Sequence, residues 1–296
     1  MPHIKTSYKF AILIASIIAA IALAAWYISS HPLAVLAPMG QIGEAQRNLI
    51  IVGALLSIIV VVPVFVMTIV IAYRYRESNG RAAYQPTWDH SPLFETIWWG
   101  IPCAIILALS IITWQSSHTL DPSRAIASNE SPLAIQVVSL DWKWLFIYPA
   151  QHVASVNEVA LPVGRPVTFS LTSDSVMNSF WIPQLGGQLY AMPGMSTTLH
   201  LIADQSGTYF GSPANITGKG FSGMDFTAKA LDASDFSQWL ATAGRSPHKL
   251  DLSAYTALAK PSQDNPTTYY YSSVEDGLYN LIVMKYMLPD ISRVTQ

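Results

Sequence analysis

The stretch that decides the fold class is LIIVGALLSIIVVVPVFVMTIVIA, residues 49–72, which contains no Asp, Glu, Lys or Arg. A membrane-spanning helix needs about 20 consecutive apolar residues, so this run is long enough to cross a bilayer. Pro63 lies inside it, and a membrane helix packed against neighbours tolerates an internal proline better than a soluble helix does. The run therefore predicts a transmembrane helix.

Two other runs are equally free of charge. Residues 10–30 and 96–117 contain no Asp, Glu, Lys or Arg, and only 11% of the 296-residue chain is charged, against about 25% in an average soluble domain. The helices of a soluble core are the alternative explanation, but uncharged runs of this length are more typical of membrane spans. Residues 1–30 fit either a cleaved signal peptide or a first transmembrane span, because both have a basic start and an apolar centre.

The distribution of basic residues predicts the orientation of the spans. Cytoplasmic loops are enriched in Lys and Arg. Basic side chains precede the first run and follow the second, whereas the connection between them, residues 31–48, holds only Arg47. The second run therefore ends in the cytoplasm, the third returns outward, and everything after about residue 120 is exported.

The exported half reads as a β-domain followed by a different kind of segment. Short stretches rich in β-branched and aromatic residues alternate with Pro, Gly, Asn and Asp, which predicts a β-sandwich or barrel of short strands. Four of these stretches are residues 133–140, 166–173, 197–203 and 223–230. After residue 231, helical spacing of apolar residues and then a cluster of tyrosines predict one or two short helices and an aromatic segment that lies on a surface.

Charge and cysteine content exclude several classes of function. The net charge of −2 offers no electrostatic attraction for nucleic acid. The single cysteine, Cys103, lies in the third apolar run, so the exported half has no thiol. Because a blue-copper centre needs one thiolate and a dinuclear copper centre needs two, the sequence predicts that the exported half binds no redox copper. No pair of histidines has metal-ligand spacing, so no other metal site is predicted either.

Two strings carry a resemblance to a known family. VVSLDWKWLFIYP, residues 137–149, and VMNSFWIPQLGGQLYAMPGM, residues 176–195, resemble the aromatic strand and the sandwich core of subunit II of the haem-copper respiratory oxidases. The order of membrane runs followed by an exported β-domain is similar to that family as well.

The resemblance implies a division of the chain into parts. A membrane α-helical hairpin is expected over residues 31–120, with spans at about 49–72 and 94–115. An all-β, cupredoxin-like Greek-key sandwich is expected over residues 121–231, and a short helical, aromatic-rich arm over residues 232–296.

In the cytochrome c oxidases of this family, the dinuclear copper centre uses a His before an S-F/W pair and then the pattern C-x-E-x-C-x3-H-x2-M. Its two thiolates bridge the copper ions. Laid on this chain, the pattern keeps only its final Met, so the resemblance implies a degenerate site without ligands. The corresponding positions, in the order of the pattern, are Asn178, Pro213, Asn215, Thr217, Phe221 and Met224.

The strings SVMNSF, YAMPGM and GFSGM resemble the quinol-oxidising branch, the cytochrome bo-type ubiquinol oxidases. In that branch subunit II carries no metal, ubiquinol rather than cytochrome c supplies electrons, and subunit I holds the haems and one copper ion. The resemblance implies a non-catalytic, structural and assembly subunit of a proton-pumping ubiquinol oxidase, which contacts subunit I and is accompanied by subunits III and IV. The implied location is the bacterial inner membrane, with the sandwich in the periplasm. The alternative is a membrane-tethered periplasmic binding module with a degenerate cupredoxin domain.

Glu95 is the candidate functional residue of the membrane part. It lies in HSPLFETIWWGIP, at the cytoplasmic start of the last span. The resemblance places it where the family has a carboxylate at the mouth of a proton-uptake channel, and ionisable groups beside spans are often functional. The alternative is that Glu95 only complements the positive end of its helix, which stabilises the helix by less than about 1 kcal/mol.

Overall fold

A computed structural model of the chain describes residues 15–16, 19–20, 22–24, 26–31, 33–80, 87–263 and 268–287. The described residues between 15 and 30 are helical, as either explanation of the first apolar run requires. The rest of that run, and therefore the choice between signal peptide and span, lies outside the described residues.

Two long helices precede the β-domain: α1 (Gln41–Arg74) and α2 (Pro92–Thr119). Both are long and apolar enough to cross a membrane, and none of the most apolar window of either helix is buried within the chain. Large side chains such as Phe65 and Trp99 are 65% and 69% exposed. Exposed apolar surface on this scale indicates that lipid or other proteins cover the helices.

The outer ends of both helices meet the β-domain. Helix α1 begins well before the uncharged run, because the chain anchors it there: Asp204 accepts a hydrogen bond from the backbone N–H of Gln41, and Leu185 accepts one from that of Gly43. Gly40 has no room for a side chain, since a Cβ would lie 2.2 Å from the carbonyl oxygen of Ile202. The start of α1 is therefore fixed to the sandwich.

The β-domain is a sandwich of two sheets. One sheet has the strand order β11, β3, β2, β1, β5, β8, and the other has the order β4, β10, β9, β6, β7. The pairs β1·β5 and β4·β10 are parallel and the remaining pairs are antiparallel. This confirms the predicted cupredoxin-like sandwich. The strands are β1 (Leu133–Leu140), β2 (Lys143–Tyr148), β3 (Val153–Val156), β4 (Glu158–Pro162), β5 (Val167–Ser173), β6 (Asn178–Trp181), β7 (Leu189–Ala191), β8 (Thr197–Leu201), β9 (Gly207–Pro213), β10 (Phe226–Leu231) and β11 (Tyr269–Tyr271).

Aromatic side chains fill the space between the sheets. Phe180 stacks on Phe226 with ring centroids 5.1 Å apart, and the edge of Trp144 meets Phe180 at 5.5 Å. Phe146 and Phe169 complete the group, and all five side chains are at most 3% exposed. Aromatic pairs in such geometries contribute beyond their buried area, so this cluster adds to the stability of the sandwich.

The C-terminal arm forms a third layer. It comprises α3 (Ala233–Gly244), α4 (Leu252–Leu258), β11 and α5 (Leu278–Met284). Strand β11 extends the six-stranded sheet beside β3, and α4 and α5 cover the outer face of that sheet. The buried side chains of α3, Phe236, Trp239 and Ala243, join the core between the sheets instead. A second hydrophobic cluster results, which contains Val138, Leu145, Tyr255, Leu278 and Ile282 among others. The predicted aromatic segment therefore lies on a specific surface, the back of the larger sheet.

Glu158 anchors one end of the arm. Its Oε1 accepts hydrogen bonds from Trp239 Nε1 at 2.8 Å and Tyr270 OH at 2.6 Å, while Lys229 Nζ lies 2.8 Å from Oε2. Burial by itself raises the pKa of this carboxyl, but the hydrogen bonds from Lys229, Tyr270 and Trp239 outweigh that effect and hold the pKa below its usual range. The ionised form therefore stabilises the folded arm.

A carboxyl whose pKa is depressed by folding contributes stability above its unfolded pKa, which is about 4.3 for Glu, and this contribution is lost as the pH falls through the folded pKa. At pH 7 we expect Glu158→Gln to be less stable than the wild-type chain by about 1–3 kcal/mol. Below about pH 4 we expect the stability of the wild-type chain to fall more steeply with pH than that of the variant. Thermal unfolding between pH 3 and pH 7 measures both effects. Asp235→Asn, at an exposed carboxylate on α3, is the control. Equal acid slopes for Glu158→Gln and wild type would contradict the assignment.

Candidate functional site at the end of the sandwich

The two segments that carry the degenerate copper positions lie side by side. Strand β6 pairs with the end of β9, so that Phe180 faces Pro213, and Ser179 accepts a hydrogen bond from the backbone N–H of Ala214 at 3.2 Å. Asn178 therefore lies beside the start of the loop that runs through a 3-10 turn (Phe221–Gly223) into β10. The fold therefore brings the first position of the pattern next to the segment that carries the others.

The two asparagines of the site have fixed amide orientations. Asn178 donates through Nδ2 to Ser139 Oγ at 2.7 Å, and Asn215 donates through Nδ2 to the carbonyl oxygen of Met177 at 3.0 Å. In the described part of the chain, four buried side-chain polar atoms have no protein partner, and three of them are Asn178 Oδ1, Asn215 Oδ1 and Thr217 Oγ1. Where the copper pattern has His, Glu and Cys, this chain has two amide oxygens, which can only accept hydrogen bonds, and a hydroxyl group, which can donate or accept.

The remaining positions are apolar. Pro213 is buried and offers no side-chain donor atom, and Phe221 is half-buried in the 3-10 turn. Met224 is fully buried in the sandwich core, where its carbonyl oxygen accepts a hydrogen bond from Trp144 Nε1 at 3.1 Å. The Met224 side chain therefore packs as part of the core.

These residues do not fit a dinuclear copper centre. Such a centre needs two bridging thiolates and imidazoles, and the donor set here is amide oxygen, hydroxyl oxygen and one buried thioether. Cys103 is exposed on α2, in the membrane part of the chain. Within the described ranges, no group of three or more His, Cys, Asp or Glu side chains is arranged to hold a metal ion.

Close packing shapes the loop around the site. Trp142 sits in the β1–β2 turn with φ of 62°. Its ring lies against Gly220, where an added Cβ would come within 2.4 Å of the indole. Gly220 is therefore required for the loop to rest on Trp142.

Comparison with known proteins decides the family. Residues 133–231 match the family model described as cytochrome c oxidase subunit II, periplasmic domain, and residues 245–290 match the COX aromatic rich motif. The chain is 52% identical, over 84% of its length and 75% of the relative's, to cytochrome bo(3) ubiquinol oxidase subunit 2 of Pseudomonas aeruginosa. It is 47% identical to ubiquinol oxidase subunit 2 of Acetobacter aceti, over 85% of the chain and 82% of the relative. The chain belongs to the ubiquinol oxidase subunit 2 family.

Membership confirms the resemblance seen in the two strings. It also makes the chain a subunit of a multi-subunit oxidase that is anchored in a membrane and carries a periplasmic domain. Among solved structures, the periplasmic domain of subunit II of cytochrome oxidase from Bradyrhizobium japonicum matches 39% of this chain and 96% of its own length, at 22% identity and a TM-score of 0.37.

Glu95 lies far from the sandwich, at the opposite end of α2. About 24 residues at a rise of about 1.5 Å each separate it from the end of that helix, which is roughly 36 Å. Its Oε1 accepts a hydrogen bond from the backbone N–H of Ser91 at 3.2 Å, across the first turn of α2. This contact is of the kind expected if Glu95 only stabilises the start of its helix, which is the alternative to a role in proton uptake.

Sequence reasoning missed three buried charged residues: Lys143, Glu158 and Asp174. Each makes hydrogen bonds with the arm. Lys143 and Glu158 are 3% and 5% exposed, and the side chain of Asp174 is 1% exposed. Isolated charged residues are usually solvated, whether they begin a strand, as Lys143 and Glu158 do, or lie in a loop, as Asp174 does, so the sequence gave no sign of their burial. The indirect signal was the continuous apolar run of β2, since a strand buried on both faces needs a covering layer.

Proposed function

We propose that this chain is the metal-free subunit II of a proton-pumping ubiquinol:oxygen oxidoreductase, the terminal quinol oxidase of an aerobic respiratory chain. Electrons pass from ubiquinol to the haems and copper of subunit I, and this chain has a structural and assembly role. The observation that carries the proposal is the degenerate site: the loop that holds copper in the cytochrome c branch is present, but oxygen, proline and phenyl groups replace its ligands. Without copper, cytochrome c has no entry point for its electrons.

The exposed helices support the proposed partners. Apolar side chains cover all sides of α1 and α2, and none of the apolar window of either helix is buried. We propose that subunit I packs on this hairpin within the bacterial inner membrane, beneath the periplasmic sandwich, and that subunits III and IV complete the complex. A tethered binding module with a degenerate cupredoxin domain, the second candidate, needs no such partner.

Purification separates the two candidates. The chain is isolated through an affinity tag in mild detergent, and the preparation is examined by optical spectroscopy, oxygen uptake and copper analysis of the separated chain. The proposal predicts haem bands and quinol-dependent oxygen uptake in the preparation, with no copper on this subunit. A tagged chain free of haem and of other subunits supports the binding module instead, and copper on the separated chain overturns the metal-free assignment.

Glu95 is proposed to serve proton uptake at the cytoplasmic surface. Glu95→Ala is then expected to lower quinol-oxidase turnover and proton pumping several-fold, since a surface carboxylate collects protons for the channel. Oxygen uptake and pH changes in proteoliposomes measure both. The control is Glu77→Ala, at an exposed carboxylate in the connection between the two helices. Turnover and pumping equal to wild type in Glu95→Ala would leave the Ser91 contact as the role of this residue.

A further inference from the structure

Asp174 joins the arm to the loop that leads into Asn178. Tyr255 OH donates to Oδ2 at 2.5 Å, and Lys285 Nζ and Tyr286 OH donate to Oδ1 at 2.6 and 2.8 Å. The Asp174 side chain is only 1% exposed. Three donors from the arm thus converge on one buried carboxylate, and hydrogen bonds to an ionised acceptor are the stronger kind.

Lys143, the first residue of β2, joins the arm to a second loop, the β1–β2 turn (residues 141–142). Its Nζ donates to the carbonyl oxygen of Lys260 at 2.8 Å and to Ser262 Oγ at 2.7 Å, and the residue is 3% exposed. A buried ammonium group requires hydrogen-bond acceptors, and the arm supplies the two acceptors that allow Lys143 to be buried. The neighbouring residue Trp142 supports Gly220 of the loop at the degenerate site.

Both loops that the arm holds contact the degenerate site itself. The Asp174 loop supplies the carbonyl oxygen of Met177, to which Asn215 donates at 3.0 Å. The two loops also bond to each other, through Ser175 Oγ and Asp141 Oδ1. A continuous set of contacts therefore runs from the arm, through the two loops, to residues 213–224.

Metal ligation stabilises the fold of a protein whose ligands lie on separate segments. The segments at the end of this sandwich lack such ligands, yet they lie side by side, since β6 pairs with the end of β9 and Asn215 bonds to Met177. We propose that the aromatic-rich arm is a clamp that orders the degenerate copper site, in the place of a metal. The clamp depends only on the contacts above, so its test is separate from whether the complex oxidises ubiquinol.

Hydrogen exchange on the intact oxidase complex tests the clamp. Asp174→Asn keeps the size of the side chain but removes the charge that three donors share. Because this change weakens three hydrogen bonds to a charged group at once, we expect amide exchange in residues 174–178 and 213–224 to accelerate at least about tenfold. Tyr286→Phe removes one donor and should give the same pattern with a smaller amplitude.

Glu158→Gln is the matched control. Glu158 is also a buried carboxylate that binds two aromatic side chains of the arm, but these contacts do not involve the two loops at the degenerate site. The variant should accelerate exchange in β11 and α3 and leave residues 213–224 at the wild-type rate. Faster exchange in the arm of Asp174→Asn with residues 213–224 unchanged would overturn the clamp, as would an equal effect of Glu158→Gln on those residues. If Asp174→Asn does not accumulate, Tyr255→Phe and Tyr286→Phe decide the question on the same peptides.

Discussion

Five substitutions are expected to turn this chain into a copper protein. N178H, P213C, N215E, T217C and F221H restore the ligand pattern around the existing Met224. The pairing of β6 with β9 already brings the two ligand-bearing segments together, and what is missing is the chemistry of the donors. We expect the variant with all five substitutions to bind two copper ions in a dinuclear, strongly coloured centre, and the wild-type chain to bind none. Copper analysis and the visible spectrum of the purified chain measure this.

The matched control for this variant replaces the two cysteines by serine, as P213S and T217S with the other three substitutions unchanged. Serine fits the same space but supplies no soft thiolate. Equal copper binding by the serine control would contradict the conclusion that missing sulfur is what keeps copper from this site. If the variant with all five substitutions stays colourless and binds no copper, the loop no longer has the geometry of a copper site.

Phe180→Ala is expected to have the largest effect on stability. Phe180 is fully buried, and its ring meets four other aromatic rings, those of Trp144, Phe146, Phe169 and Phe226. Removal of a buried phenyl group costs about 3–5 kcal/mol, because the transfer energy is lost and the cavity collapses only in part. Denaturant unfolding followed by tryptophan fluorescence measures the change.

Two controls sharpen this prediction. Phe180→Leu keeps most of the volume and should cost less than about 1.5–2 kcal/mol. Phe210→Ala, on the adjacent strand β9, removes a side chain that is 54% exposed and should change stability by no more than about 0.5 kcal/mol. A loss at Phe210 as large as that at Phe180 would contradict the central role of the cluster.

Local sequence was sufficient for the elements with a strong pattern. Strand β1 runs over residues 133–140, where β-branched and aromatic residues predicted a strand, and α3 follows residue 231, where helical spacing predicted a short helix. The membrane helices followed from runs without charge. Helix α1 nonetheless extends to Gln41, beyond the apolar run, because Asp204 and Leu185 of the distant sandwich accept its first backbone N–H groups.

The arm shows where local pattern was insufficient. In β1, the alternation of buried and exposed residues ends at Val137, and Val137 and Val138 are both fully buried. One faces the aromatic core, and the other faces the arm. The doubled valine was a sign that both sides of the sheet are covered, but nothing local indicated which segment covers the second side.

The sequence by itself determined the membrane helices, the sandwich and the missing copper chemistry, because each depends on residue type and on spacing within one segment. Only the tertiary structure decided how the arm docks. Asp174 meets its donors 81, 111 and 112 positions further along the chain, and such pairings depend on how separate surfaces fit together rather than on any local period. A buried carboxylate is stable only where several donors converge, and that convergence exists only in the folded chain.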